Sequence, residues 1–265
     1  MYNWIHENRR ERRLIMDPCA INECFTQAQR ERWLAAASRR RSVRTYAGET
    51  DVERFSALSY TAGRVRLPGA RLVLGEAREE SLYRKLPFVN PIRGTKKYAA
   101  VVVDDAIPFA QIHGGVAGEA FVLEATALGL GTCWVAAFKR SGVSLDLEEG
   151  EKVKAVIAFG IPNEAEGPRK RKKLSEICAS DPSDWPLWAY NAAECVRIAP
   201  SAVNLQPWRL NYAGRTLALS SVRAGASLDM GIALLHLSLG VGDKPHRVRW
   251  GEGREIASLI AEDRI

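Results

Sequence analysis

Residues Ala199–Arg209 read APSAVNLQPWR, and the interpretation of the whole chain turns on them. Two X-Pro steps, two side-chain amides, a hydroxyl and a tryptophan fall within this short stretch. Each proline fixes its own φ and pushes the residue before it out of the helical region, which predicts a stiff, extended loop. Such a loop would present Ser201, Asn204 and Gln206 with donors and acceptors aimed outward. Trp208, Leu210 and Tyr212 then alternate, which predicts a strand with one apolar face. An ordinary polar turn has the same composition, so the reading depends on whether a complementary element exists elsewhere.

Upstream, Phe25, Ala28, Trp33, Leu34 and Ala37 recur among charges and predict an amphipathic helix over Asn22–Arg40. It ends in RRRSVRTY, where Arg39–Arg44 supply four arginines and a serine in six residues. A basic turn in solvent is the plain reading. The alternative use is phosphate binding, because guanidinium forks grip phosphate oxygens in bidentate fashion.

RRSVRTY resembles the N-terminal RRSxRxF element of nitroreductases, and PSAVNLQPW resembles the flavin-contacting loop of the same family. The resemblance implies FMN as cofactor. It gives the phosphate to Arg40, with Arg41 beside it, and the ribityl chain and N1/O2 edge to Ser42 and Arg44. Pro200, Ser201, Asn204 and Gln206 would form the opposite wall. GLGTCWVAAFKR, Gly129–Arg140, is similar to the family segment that runs from the long central helix into a loop beside the flavin. The backbone N–H groups of Ala136 and Ala137 would then face N5. The family also places an arginine-bearing segment after an exit strand, here KVKAVIAFG followed by GPRKRKKLSEI. Arg171 is the first candidate there and Arg169 the second.

Between these motifs, Leu72–Leu74 and Ala99–Val103 predict short buried strands, and Lys85–Lys97 reads as a loop. Val116, Ala120, Leu123, Ala127 and Leu130 mark a helix over Gly114–Gly131 that is apolar nearly all round. Later come a helix over Ala189–Ile198, a hairpin around Ala213–Gly214, a strand over Thr216–Ser220, a helix over Leu228–Leu239 and a last strand holding Val248 and Trp250. GARLVL (Gly69–Leu74) parallels GRTLAL (Gly214–Leu219), and the helix from Gly114 parallels SLDMGIALLHLSLG (Ser227–Gly240).

RRSVR occurs only in the first half and PSAVNLQPW only in the second, whereas a nitroreductase homodimer takes the two from different subunits. The resemblance therefore implies an α+β, nitroreductase-like fold whose internally duplicated halves form a pseudo-dimer, with central buried helices and mixed or antiparallel sheets. The expected division is an arm at 1–21, a first half at 22–180 and a shortened second half at 181–265, packed as one unit and monomeric.

Bulk composition is compatible with this. A chain of 265 residues, 46% hydrophobic and 26% charged, buries a full core. No apolar run is long enough for a membrane span, and MYNWIHENRRERR is too polar for a secretory signal, so a cytoplasmic protein is expected. Five scattered cysteines and four histidines give no zinc pattern, and no metal is expected. The net charge of +7 suits an anionic ligand. It would also suit nucleic acid, but no aromatic-interleaved motif accompanies the basic runs. The function expected from the resemblance is FMN-dependent, NAD(P)H-driven reduction of a small-molecule substrate, nitroaromatic or quinone-like. The competing reading is a flavin-binding or degenerate relative without turnover.

Overall fold

The computed structural model describes residues 25–77, 82–83, 91–163, 170–223, 227–242, 246–251 and 253–262. The expected arm, Arg169, Cys19, Cys24 and residues 85–90 of the loop expected at 85–97 lie outside the described residues.

Helix α1 (Gln27–Ala37) starts at a capping box: the Gln29 amide donates to Thr26 Oγ1 at 3.2 Å and the Thr26 amide to Gln29 Oε1 at 3.0 Å. It ends earlier than its apolar pattern predicts, leaving Arg39 and Arg40 beyond its last turn. Strand β1 (Tyr46–Gly48) and helix α2 (Val52–Arg64) follow, with Asp51 Oδ1 accepting from the Arg54 amide at 2.9 Å to cap α2. The chain continues through β2 (Ala70–Glu76), β3 (Lys97–Asp104), α3 (Ala110–Ala127), β4 (Gly131–Val135) and β5 (Glu151–Pro162). Next come the single turn α4 (Leu174–Ile177), α5 (Leu187–Arg197), β6 (Trp208–Ala213), β7 (Thr216–Ser221), α6 (Ser227–Val241), β8 (His246–Trp250) and β9 (Glu255–Ala261).

One sheet runs β2-β3-β5, with β4 and β1 also paired to β5; the other runs β6-β7-β9-β8. Among the described residues every ladder is antiparallel, and parallel pairing is confined to isolated bridges such as Ser42 with Thr132. The class is α+β. Along β3, Ala99, Val101 and Val103 enter the main core while Tyr98, Ala100 and Val102 enter a second core on the opposite face. Burial on both faces is why this strand reads as an unbroken apolar run.

The connectivity occurs twice. The order α2-β2-β3-α3-β4-β5 recurs as α5-β6-β7-α6-β8-β9, and the strand order β2-β3-β5-β4 recurs as β6-β7-β9-β8. By position GARLVL, in β2, corresponds to β6 and not to β7, which carries GRTLAL. Both stretches are a glycine followed by alternating apolar residues, a pattern that does not tell the first strand of such a pair from the second. β9 was not expected at all.

The repeat axis passes through α3 and α6, which cross at glycines. A Cβ on Gly115 would lie 2.2 Å from the Leu228 carbonyl oxygen, and one on Gly231 would lie 2.0 Å from that of Ile112. Only glycine permits this backbone approach. α3 is buried on all sides for most of its length, Glu119 and Glu124 included. Glu124 is neutralised where Arg32 forks both of its oxygens at 2.8 Å and Trp33 Nε1 donates at 2.6 Å, so α1 is pinned to α3 by charge-assisted bonds.

Candidate functional site

The Pro-flanked loop is stiff, but it is curled and not extended. Residues Ala202–Asn204 form one 3-10 turn, and Val203, Asn204 and Gln206 take φ values of 44°, 58° and 49°. The left-handed region is costly for a β-branched residue such as Val203, so tertiary bonds must hold it there. They are visible. Ser201 Oγ accepts from the Gln206 amide at 2.8 Å, and Asp229 Oδ1 of α6 accepts from the Ala202 amide at 3.0 Å. Burial pushes the Asp229 carboxyl above its ordinary range, partly offset by that amide bond.

The expected outward presentation of the amides is also corrected. Gln206 is buried, and its Oε1 accepts from the Lys172 amide at 3.0 Å while Nε2 donates to the Asn204 carbonyl at 3.3 Å. Asn204 Oδ1 accepts from Arg171 Nη1, and Asn204 Nδ2 donates to the Lys170 carbonyl at 2.9 Å. Lys172 Nζ donates to the Gln206 carbonyl at 3.1 Å, and Arg171 Nη2 reaches the Ile198 carbonyl at 3.3 Å. The fold thus brings together Arg171, Asn204 and Gln206, and they bind one another. Pro200 is buried behind the loop and Ser201 is half-buried.

RRSVR lies along the edge of the first sheet. Val43 donates its amide to the Thr132 carbonyl of β4 at 2.8 Å, and Thr45 accepts from the Asn163 amide at the end of β5 at 3.1 Å. Arg41 is exposed, while Ser42 and Arg44 are half-buried. Arg40 differs: its side chain turns inward, 2% exposed, and its Nε lies 4.0 Å from Glu119 Oε1.

GLGTCWV is strand and not loop. Gly129, with φ 77°, stops α3, and Gly131–Val135 then pair with Val156–Gly160. Only Ala136 and Ala137 bend away, exposed and half-buried respectively. Among the described residues neither amide donates a hydrogen bond.

A buried polar cluster unites these pieces. Glu119 Oε2 accepts from Trp134 Nε1 at 3.0 Å, and Glu119 Oε1 lies 3.0 Å from His236 Nε2 of α6. His236 Nδ1 is 3.0 Å from the Cys195 carbonyl near the end of α5. Glu119, Trp134 and His236 are not among the site residues that the sequence motifs point to. The available signal was two glutamates inside a helix read as apolar all round, since a buried carboxylate requires partners.

Residues 34–241 match the family described as "Putative TM nitroreductase". The chain belongs to the nitroreductase family. A solved structure described as a putative nitroreductase from Thermotoga maritima is 25% identical, with a TM-score of 0.60, covering 86% of this chain and 93% of that one. Shorter nitroreductase-family structures align over about half of this chain. An FMN-dependent nitroreductase from Clostridium difficile is 17% identical (TM-score 0.41; 51% of this chain, 90% of that one). A protein described as a putative NADH oxidase from Clostridium acetobutylicum is 21% identical (TM-score 0.42; 54% and 96%). None of the curated proteins matches. Family membership makes the chain an oxidoreductase of the nitroreductase kind, and among its described residues no helix is long and apolar enough to cross a membrane.

Proposed function

We propose that the chain is an FMN-dependent oxidoreductase that uses NAD(P)H to reduce a small oxidised acceptor, nitroaromatic or quinone-like, by alternating exchange at one composite site. The observation that carries this reading is the convergence of its motifs. The basic segment after β5 is bonded to the Pro-flanked loop of the second repeat, and the Glu119 cluster joins that repeat to RRSVR and β4.

The residues present fit a flat, phosphate-bearing group. Arg41, Arg44 and Lys170 offer cations at or near the surface, and the unbonded Ala136 and Ala137 amides offer two fixed donors. When bound, FMN supplies the hydride chemistry; the chain supplies position and electrostatics. Arg41, Lys170 and Arg171, with Arg169 nearby in sequence, would hold the phosphate, a role that the inward turn of Arg40 leaves to its neighbours. Ser42 and Arg44 hold the ribityl and pyrimidine side, where a cation favours negative charge on the ring. The Ala136–Ala137 amides would face N5 of the ring, where fixed dipoles need no reorganisation. Pro200, Ser201, Asn204 and Gln206 keep the facing loop rigid.

The two halves, 22–180 and 181–265, are in this reading the equivalents of two fused subunits, so that a cytoplasmic monomer completes the site. A second reading, a flavin-binding or degenerate relative without turnover, is favoured by one observation. Arg40, Asn204 and Gln206 direct their polar groups to protein partners. Purified protein decides between them. The first reading expects a flavin spectrum, bleached by NADH or NADPH and restored by a quinone. Flavin that is never bleached supports the second, and a protein that takes up no FMN refutes both.

A further inference from the structure

Two consecutive residues of α3 are shaped around one side chain. A Cβ on Gly118 would fall 2.1 Å from the Trp134 ring, and Glu119 takes the indole N–H at 3.0 Å. Glu119 is fully buried, as is His236. His236 bridges two helices, with Nδ1 3.0 Å from the Cys195 carbonyl and Nε2 3.0 Å from the carboxylate. Four parts of the chain therefore converge on this carboxylate. They are RRSVR through Arg40, β4 through Trp134 two residues before Ala136, α6 through His236, and α5 through Cys195 four residues before Ala199.

The repeat shows that the scaffold itself does not require this cluster. Gly115 and Gly231 stand 116 positions apart (231 less 115), as do Trp134 and Trp250 (250 less 134). At the same offset the counterpart of Glu119 is Leu235 and that of His236 is Ala120. Trp250 stacks on Phe109, with centroids 4.6 Å apart and planes at 8°, and meets His113 edge-on at 5.7 Å. The equivalent positions on the two helices are thus Leu235 and Ala120, and among the described residues the Glu119 cluster lies on the side of RRSVR and the Ala136–Ala137 amides.

We propose that Glu119 is a positioning residue for the redox site. It fixes Trp134, hence the Ala136–Ala137 turn, in register with RRSVR and with the Pro-flanked loop. This inference rests on the FMN reading above.

The test uses full-length protein titrated with FMN by fluorescence quenching, together with the flavin midpoint potential. Trp134→Phe keeps a ring over Gly118 but removes the N–H, and FMN binds roughly 10- to 100-fold more weakly, the range for a lost hydrogen bond to a charged group. Trp134→His restores an N–H on a smaller ring and recovers part of the affinity; if packing alone mattered, it would be worse than Phe. Glu119→Gln keeps an acceptor for Trp134 and a polar partner for His236 but gives up the charge facing Arg40, so its affinity falls by less than that of Trp134→Phe. Wild-type affinity and potential in Trp134→Phe, with only thermal stability reduced, overturn the role. So does a Glu119→Gln loss as large as that of Trp134→Phe, because charge rather than position would then matter. A wild-type protein that takes up no FMN overturns the functional reading itself and this role with it.

Discussion

Replacing Gly231 by alanine tests the helix crossing on which both repeats depend. The new Cβ would sit 2.0 Å from the Ile112 carbonyl oxygen, 2.8 Å from its carbon and 2.9 Å from Gly115 Cα. All three are backbone atoms, so no side-chain rotation relieves the clash. The helices must separate by about 1 Å, which opens the apolar seam on both sides. Overpacking costs about 1–3 kcal/mol, and the rigidity of both partners puts this case near ~3 kcal/mol. For a chain of this size each kcal/mol lowers Tm by about 2–4 °C, so a fall of roughly 6–12 °C is expected in a thermal melt. Gly63→Ala supplies the opposite sign. Gly63 lies in α2 with nothing within 4 Å of its would-be Cβ, and alanine there stabilises by about 0.5–1 kcal/mol through helix propensity. If Gly231→Ala melts within about 2 °C of wild type, the close crossing is not a constraint and the account of the repeat axis is wrong.

Gln206→Ala removes the acceptor for the Lys172 amide, and trypsin should then cut at Arg171–Lys173 about 5- to 100-fold faster, read by mass spectrometry. Arg44→Ala should weaken FMN binding about tenfold and lower the flavin potential, measured by titration. Burial holds the His113 imidazole below its ordinary range, although its bond to the Pro68 carbonyl works the other way. The unfolded chain therefore binds more protons in mild acid, and stability falls as pH drops through the ordinary imidazole range. His113→Gln should flatten that part of a urea-stability profile against pH. Burial pushes the Cys178 and Cys195 thiols up to about 11 and about 12, so both should stay unlabelled by a thiol reagent at neutral pH until the protein is denatured, as peptide mapping would show.

What was legible in the sequence follows from how local each signal is. The helix over Gly114–Gly131 and the strand over Lys152–Phe159 have long, regular apolar patterns, and both form with shifted ends, at Ala110–Ala127 and Glu151–Pro162. EIASLIA in β9 is short, and nothing nearby in the chain shows that it pairs with β7 and β8. The Pro-flanked loop was legible as rigid, because proline acts on its own neighbours. Its curl was not, because Ala202, Asn204 and Gln206 are held by Asp229, Arg171 and Lys172, which lie 27 to 34 residues away. Least legible was the Glu119 cluster, since His236 is 117 residues from Glu119 and an isolated His in an apolar helix carries no periodic mark. Yet burial made a partner obligatory. A carboxylate inside a helix buried on all sides has few ways to persist, and here indole, imidazole and guanidinium groups share it. The same low dielectric that hides such a cluster from pattern-based reading makes every member costly to remove singly, which is why one carboxylate can hold elements from both repeats in a single register.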